Sequence, residues 1–287
     1  MNKSKIDWCD YTWNPVTGCL HNCQYCYARR IVERFSSHVE VNRECIDLSE
    51  FQVGPYYTLD EPWTWDDSIQ PYPFGFLPTL HRYHLGDPAR KTKGVNVFVC
   101  SMADLFGSWV PEKWKQEVFK SCEVAPQHNY IFLTKNVRGL PVSSYLYSGR
   151  FNEHPDNYWF GTTVTCQRDL EERFWPLINV HGNVFLSIEP LHDRISLSHI
   201  ETDNLIFNHT KGVAYYLGGG QNIRRVNWVI IGAETGSRKD KIIPERSWIE
   251  EIVFECKAAG VPVFMKSNLQ DVWNDKLIQE YPEGLRK

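Results

Sequence analysis

Three cysteines stand within eight residues, in the segment Gly18-Cys19-Leu20-His21-Asn22-Cys23-Gln24-Tyr25-Cys26. The spacing C-x3-C-x2-C places three thiolates on one tight loop. Such a set can hold three irons of a cubane [4Fe–4S] cluster. The spacing offers no fourth thiolate, so the fourth iron would keep an open coordination position, as catalytic metal sites do. A ligand carrying an amine and a carboxylate can chelate there. The other chemistry open to this loop is structural zinc, which needs a fourth ligand. His21 or Cys9 can supply one, although His21 lies between two of the cysteines, where sharing one metal with both would strain the loop.

The chain holds nine cysteines in all. The count is odd, so they cannot all pair with one another. Cys100, Cys122 and Cys256 fall in predicted strand or helix interiors and read as buried thiols that behave as small hydrophobes. Cys166 follows an apolar run and is open to two readings, a hydrogen-atom donor or thiyl relay, or a plain loop thiol. Cys9 and Cys45 are similarly ambiguous. The N-terminal segment MNKSKIDWCDYTWNP has no apolar core of the signal-peptide kind. No stretch reaches the ~18 apolar residues that span a bilayer. A cytoplasmic location is therefore expected, with thiols kept reduced and a tight cysteine cluster reading as metal-binding or catalytic.

These residues need a scaffold, and the composition allows one. Of 287 residues, 42% are hydrophobic and 23% charged, which excludes a disordered tail or a collagen. The formal net charge of −4 disfavours a globally basic nucleic-acid binder. From residue 95 onward, continuous apolar runs recur at Val95–Cys100, Tyr130–Leu133, Tyr158–Val164, Asn183–Ile188, Asn227–Gly232 and Pro262–Lys266. Runs without alternation suit strands buried on both faces, as in a parallel sheet. Helical patterns lie between them at Pro111–Val124, Asp169–Ile178 and Arg246–Ala259. Pro176 must bend or end the second, and Gly260 is placed to cap the third. Strand–helix units of ~30 residues predict right-handed βαβ crossovers. The expected fold is α/β, a single domain over 1–287 built as a full or partial (β/α) barrel of about six parallel strands. A doubly wound open sheet is the alternative. Residues 38–93, rich in Pro, Tyr, Trp and His, read as an insertion or lid. Gly218–Gly220 reads as loop or hairpin and matches no phosphate-binding motif.

With cluster spacing ahead of a βα series, the chain resembles the radical S-adenosylmethionine superfamily. It resembles more closely a phage- and prophage-associated family of radical-SAM-like proteins. The segments that carry this resemblance are WNPVTGC (13–19), CYARR (26–30), VFVCSMADLF (97–106), FLTK (132–135), WFGTTV (159–164), LSIEPL (186–191), WVIIGAETG (228–236) and AGVPVFMKSN (259–268). They cover nearly the whole chain, apart from residues 38–93. The resemblance implies a [4Fe–4S] cluster on Cys19, Cys23 and Cys26, S-adenosyl-L-methionine as cosubstrate, and an electron donor of flavodoxin or ferredoxin type. It brings no reaction.

In parallel βα folds the site lies beyond the carboxyl ends of the strands. Polar residues recur there: Ser101 and Asp104, Thr134 and Lys135, Thr163 and Thr165, Ser187 and Glu189, Glu234, and Lys266 with Asn268. The resemblance implies that Tyr25 lies against adenine and that Ser101 and Asp104 receive the methionyl amine. Thr163 is a candidate ribose contact by strand order. Glu189 can bind ribose hydroxyls or the amine. Lys135, Glu234 and Lys266 are candidates for the carboxylate or for substrate, and with Cys166 they are the candidate catalytic groups. A structural ion pair between Lys266 and Glu234 is an equal alternative. In the insertion, Trp63, Trp65, Tyr72, Phe74, Phe76, His81, Tyr83 and His84 interleave with Arg82, Arg90, Lys91 and Lys93. Such a surface can stack bases and contact phosphates, or simply pack the insertion down. Arg224, Arg225, Arg238, Lys239 and Lys241 add local positive charge. The expected function is radical cleavage of S-adenosylmethionine acting on a substrate such as a nucleic-acid base or nucleotide, with a partner protein allowed for. The competing readings are a binding or structural module with a cysteine-ligated zinc, and iron–sulfur-dependent methyl transfer.

Overall fold

A computed structural model describes residues 1–36, 57–141, 156–180, 182–198, 226–236 and 238–285. Cys45, Gly218–Gly220, Arg224, Arg225 and residues 38–56 of the insertion lie outside the described residues. All six apolar runs carry strands: β8 (Asn96–Val99), β9 (Asn129–Thr134), β10 (Tyr158–Thr163), β11 (Asn183–Ile188), β12 (Trp228–Ile231) and β13 (Val263–Met265). Ahead of them come β1 (Asn2–Lys3), β2 (Tyr11–Trp13), β3 (Val16–Thr17), β4 (Tyr57–Leu59), β5 (Thr64–Trp65), β6 (Ser68–Ile69) and β7 (Thr79–His81). The described helices are α1 (Tyr27–Phe35), α2 (Glu112–Val124), α3 (Gln167–Ile178), α4 (Arg246–Ala259) and α5 (Gln270–Trp273). None is long and apolar enough to cross a membrane.

The expected (β/α) barrel does not form. Eight strands make one sheet with two ends, in the order β1-β2-β8-β9-β10-β11-β12-β13. It is mixed, because β1 pairs antiparallel with β2. The order never reverses, so the doubly wound alternative fails too. Both ends are occupied in ways that hydrophobic runs do not announce. At one, the polar pair Asn2–Lys3 covers β2. At the other, Met265 N donates to Ile278 O (2.7 Å) and Glu280 N to Val263 O (2.8 Å), so the 278–280 segment lies along β13. Closure needs free edges. Apolar content reports burial, not edge pairing.

The chain divides into two compact units, Met1–Lys5 with Cys9–Phe132, and Ile6–Trp8 with Leu133–Lys287. In the first, β2 runs parallel to β8 and β8 to β9. The second sheet of this unit is β3-β7-β4, built partly from the insertion, which also forms the β5–β6 hairpin. Trp114, Val118, Phe119 and Cys122 are the buried stripe of α2. The Phe106, Phe119 and Phe132 rings pack with centroids 5.2–6.2 Å apart.

In the second unit, β10 to β13 are consecutive parallel neighbours. Register puts Gly161 beside Phe185, Thr163 beside Ser187, Ile188 beside Ile231, and Ile231 beside Met265. Pro176 lies within α3, which ends two residues later at Ile178. Gly260 takes φ 65°, ψ 32° and caps α4, its N–H donating to Cys256 and Lys257 carbonyls.

Candidate functional site

The cysteine loop of the first unit is fixed at both ends. At its start Gly18 sits at φ 85°. Its N–H donates to Met102 O (2.9 Å), and Cys19 N donates to Phe76 O (3.1 Å). The chain is thus pinned between the Ser101–Asp104 turn and the Phe76 backbone of the insertion. At its end Cys26 is the N-cap of α1, and its Sγ accepts from Arg29 N (3.4 Å). The sulfur thus takes one of the backbone N–H groups that the first turn of a helix leaves without an intrahelical partner. Arg29 reaches back to Cys19 O (3.3 Å) and lies over the Phe76 ring (4.7 Å).

The eight described cysteines, Cys19, Cys23 and Cys26 among them, are free thiols. Burial pushes the Cys19 thiol up to about 12, and the nearby Asp104, Cys23 and Cys26 add to the shift. The loop therefore holds Cys19 protonated, and a metal binding there would have to displace that proton. Among the described residues, no three of His, Cys, Asp and Glu converge where one metal ion would sit.

Asp104 and Ser101 have commitments within the fold. Asp104 is buried; its Oδ2 accepts from His21 Nε2 (2.7 Å) and its Oδ1 from Phe106 N (3.1 Å). Ser101 Oγ donates to Asn14 Oδ1, which also accepts from Met102 N (3.1 Å each). His21 stands edge-on to Trp109 at 4.8 Å. Both residues therefore shape the turn that pins the loop, with Asp104 holding His21 from across it. Tyr25 is half-buried in the turn before Cys26. Asn14, Arg29 and Trp109 were not singled out from sequence. Asn14 stands inside WNPVTGC, but a short polar residue there is no more conspicuous than its neighbours.

The aromatic insertion mainly packs. Phe74 is buried and stacks on Tyr57 at 4.0 Å. Tyr72 and Phe76 cover a small core of Ala28, Val32 and Met102. Arg82 pairs with Glu117 and Asp60, Arg90 with Asp87, and Lys91 lies over Tyr11 at 4.4 Å. Trp65 remains exposed.

His81 is 2% exposed, with Nε2 2.9 Å from Thr17 Oγ1 and Nδ1 3.0 Å from Tyr83 Oη. Burial, assisted by His84, lowers it to about 3. The unfolded chain then binds one more proton than the folded one between about pH 6.5 and 3, so stability falls as pH falls through that window. Between pH 7 and 5 this one residue should cost about 2 kcal/mol. Urea unfolding at the two pH values should show that much more acid sensitivity in the native protein than in His81→Gln. Equal sensitivity would remove His81 as the cause.

In the second unit, polar groups gather at the carboxyl ends of β10–β13. Lys266 Nζ pairs closely with Glu189 Oε1. The two lie over Gly232, where an added Cβ would meet Lys266 Cδ at 3.0 Å and Glu189 Cδ at 3.2 Å. Ser187 Oγ is buried without a hydrogen-bond partner among the described residues. Thr163 is buried, and its carbonyl accepts from Arg173 Nη1 (2.6 Å).

The expected alternative of a Lys266–Glu234 pair is replaced by another arrangement. Glu234 accepts both Arg238 Nε and Nη2 at 2.8 Å, and His192 Nε2 lies 3.2 Å away. The Arg238 fork satisfies the carboxylate from four residues along the chain. It is the first cause holding Glu234 below the usual carboxylate range. Asn268 exchanges two bonds with the Ala233 backbone (2.7 and 3.2 Å) and fixes that turn. Cys166 is half-buried at the N-cap of α3. Lys135 is half-buried just beyond β9. His192 escaped the sequence reading; its only signal was its place three residues after Glu189.

A family model described as "Protein of unknown function (DUF5131)" matches residues 3–277. No curated protein and no solved structure matches the chain.

Proposed function

The chain belongs to the DUF5131 family, and from the geometry of its cysteine loop we propose that it is a radical S-adenosylmethionine enzyme with a [4Fe–4S] cluster on Cys19, Cys23 and Cys26. The observation that carries this reading is the loop itself. Three unbridged thiols lie between two fixed points, close enough for Cys23 and Cys26 to raise Cys19. Arg29 fits the same picture. Its Nε is buried without a partner among the described residues, and its guanidinium lies beside the loop, where it would offset the negative charge of three thiolates. The Arg29 N–H that reaches Cys26 Sγ would stabilise that thiolate and tune a reduction potential.

When bound, the reduced cluster supplies one-electron cleavage of S-adenosylmethionine to methionine and a 5′-deoxyadenosyl radical that removes hydrogen from a substrate. The chain's own contribution is positional. Gly18 and Cys26 fix the ends of the loop, Asp104 holds it through His21, and Asn14 holds the turn on which Asp104 sits.

One observation favours a second reading. A metal-bound histidine usually donates its other ring N–H to a carboxylate. Asp104 accepts from His21 Nε2, which leaves Nδ1 as the lone-pair nitrogen. Three cysteines and His21 would then bind zinc after the loop closes around it.

Metal analysis separates the two. Protein purified without oxygen should be brown and carry about four iron and four sulfide per chain. Incubation with dithionite and S-adenosylmethionine should release 5′-deoxyadenosine. Colourless protein with one zinc per chain would establish the second reading instead. S-adenosylhomocysteine as the product would point to methyl transfer.

A further inference from the structure

The parallel strands of the second unit carry a polarity gradient along one face. At the amino ends the face is aromatic. Trp228 packs against Phe185 at 5.9 Å and Phe264 at 6.0 Å, with Trp8 and Tyr281 against it at 6.2 and 5.6 Å. Side chains alternate along a strand. Ser187 and Glu189 therefore share the face of Phe185, and Lys266 shares the face of Phe264. The gradient ends in one carboxylate, one ammonium and one hydroxyl.

These groups are incompletely used. Ser187 is 1% exposed and its Oγ has no partner among the described residues. A buried hydroxyl without a hydrogen bond is costly and calls for an explanation such as a bound group. The ion pair engages Lys266 Nζ with Glu189 Oε1 alone. Glu189 Oε2 and the other ammonium hydrogens have no partner among the described residues. A residue larger than glycine at 232 would push into both side chains.

We propose that this rim binds the zwitterionic α-amino acid group of a substrate that carries an apolar side chain. The charges decide the class. A lone anion drawn to Lys266 would meet Glu189, and a lone cation drawn to Glu189 would meet Lys266. A molecule with ammonium and carboxylate on one carbon satisfies both, giving its N–H groups to Glu189 Oε2 and taking hydrogens from Lys266 Nζ and Ser187 Oγ. The apolar side chain follows from Phe185 and Ile230, the strand neighbours of Ser187. The proposal concerns the second unit by itself and goes beyond the preceding reading, because it stands on the rim's own groups. The binding step needs no iron.

The test is calorimetric titration of the full chain, metal-free and iron-loaded, with L-leucine, L-leucinamide and 4-methylpentanoate. L-leucine should bind saturably, and each analogue lacking one charge should bind about tenfold more weakly or worse. Lys266→Gln should reduce leucine to the level of leucinamide. Ser187→Ala gives a crossed result: it should raise the melting temperature of the ligand-free protein, by removing the unsatisfied hydroxyl, and weaken leucine several-fold. Three ligands binding alike, or no leucine binding by protein that melts cooperatively, overturns the proposal. A Ser187→Ala protein that melts lower and binds leucine unchanged also overturns it, since the hydroxyl would then be structural. Iron content is read on the same samples. Full iron without leucine binding removes the substrate proposal alone, whereas leucine binding by protein that takes up no iron on anaerobic loading supports the rim site and removes the cluster reading.

Discussion

Cys23→Ala should reduce anaerobically loaded protein from about four irons per chain to less than one, while Cys122→Ala should keep them all. The contrast is sharp because the two thiols occupy opposite environments. Cys23 is half-buried in the loop, beside Cys19 and Cys26. A cubane held by two thiolates has lost a third of its protein ligation, and nothing else on the loop offers a soft ligand at the same place. Cys122 is fully buried on the inner face of α2. Truncating it removes one sulfur from a packed core and should cost about 1 kcal/mol of stability with no effect on the loop. Cys23→Ser repeats the loss with nearly the same side-chain volume, so a fall in iron there cannot be a packing effect. Inductively coupled plasma analysis with sulfide determination reads all three variants. If Cys23→Ala and Cys122→Ala both keep four irons, the cluster is held elsewhere and the loop has been misread.

The proposed cluster loop was picked out by residue type and spacing, which the chain carries whatever the fold does; the structure adds that Cys19, Cys23 and Cys26 are unbridged and that Gly18 and Cys26 are held at its ends. Strand positions were legible for a related reason, since strands buried on both faces must be apolar along their whole length. Sheet closure was not legible. It turned on Asn2–Lys3 covering one edge and Ile278–Glu280 lying along the other. Both segments are short, and neither carries a hydrophobic signature. Pairing of charges was also hidden. Lys266 and Glu234 each follow a strand, and sequence gives no reason for Lys266 to choose Glu189 rather than Glu234. The choice lies in Arg238, whose fork takes both oxygens of Glu234. Asp104 was expected to receive a ligand amine; within the fold its Oδ2 accepts from His21 Nε2 and its Oδ1 from Phe106 N, partners that its place after β8 does not announce.

Gly18→Ala should be the most damaging single-methyl change in the first unit. Gly18 occupies φ 85°, a region that residues with a side chain rarely adopt, and a Cβ there would lie 2.2 Å from Leu77 O and 2.4 Å from Leu77 C. The obstacle is backbone, so no side-chain rotation relieves it. Either the 76–78 segment moves, breaking the Cys19–Phe76 hydrogen bond, or Gly18 moves, breaking its bond to Met102. The combined strain and lost hydrogen bonding should cost on the order of 3 kcal/mol or more, a fall in melting temperature of roughly 6 °C or more for a chain of this size. Gly86→Ala is the matched control. Nothing lies within 4 Å of its added Cβ, so its effect should stay within about 0.5 kcal/mol. The two loop variants then dissociate stability from metal. Cys23→Ala should lose iron with the apo melting temperature nearly unchanged. Gly18→Ala keeps every thiol yet should lower both, because its methyl displaces the point from which Cys19 is presented. A Gly18→Ala protein that melts like the parent and holds four irons would show that this end of the loop is not fixed by the close approach to Leu77. The cysteines would then be positioned from α1 alone.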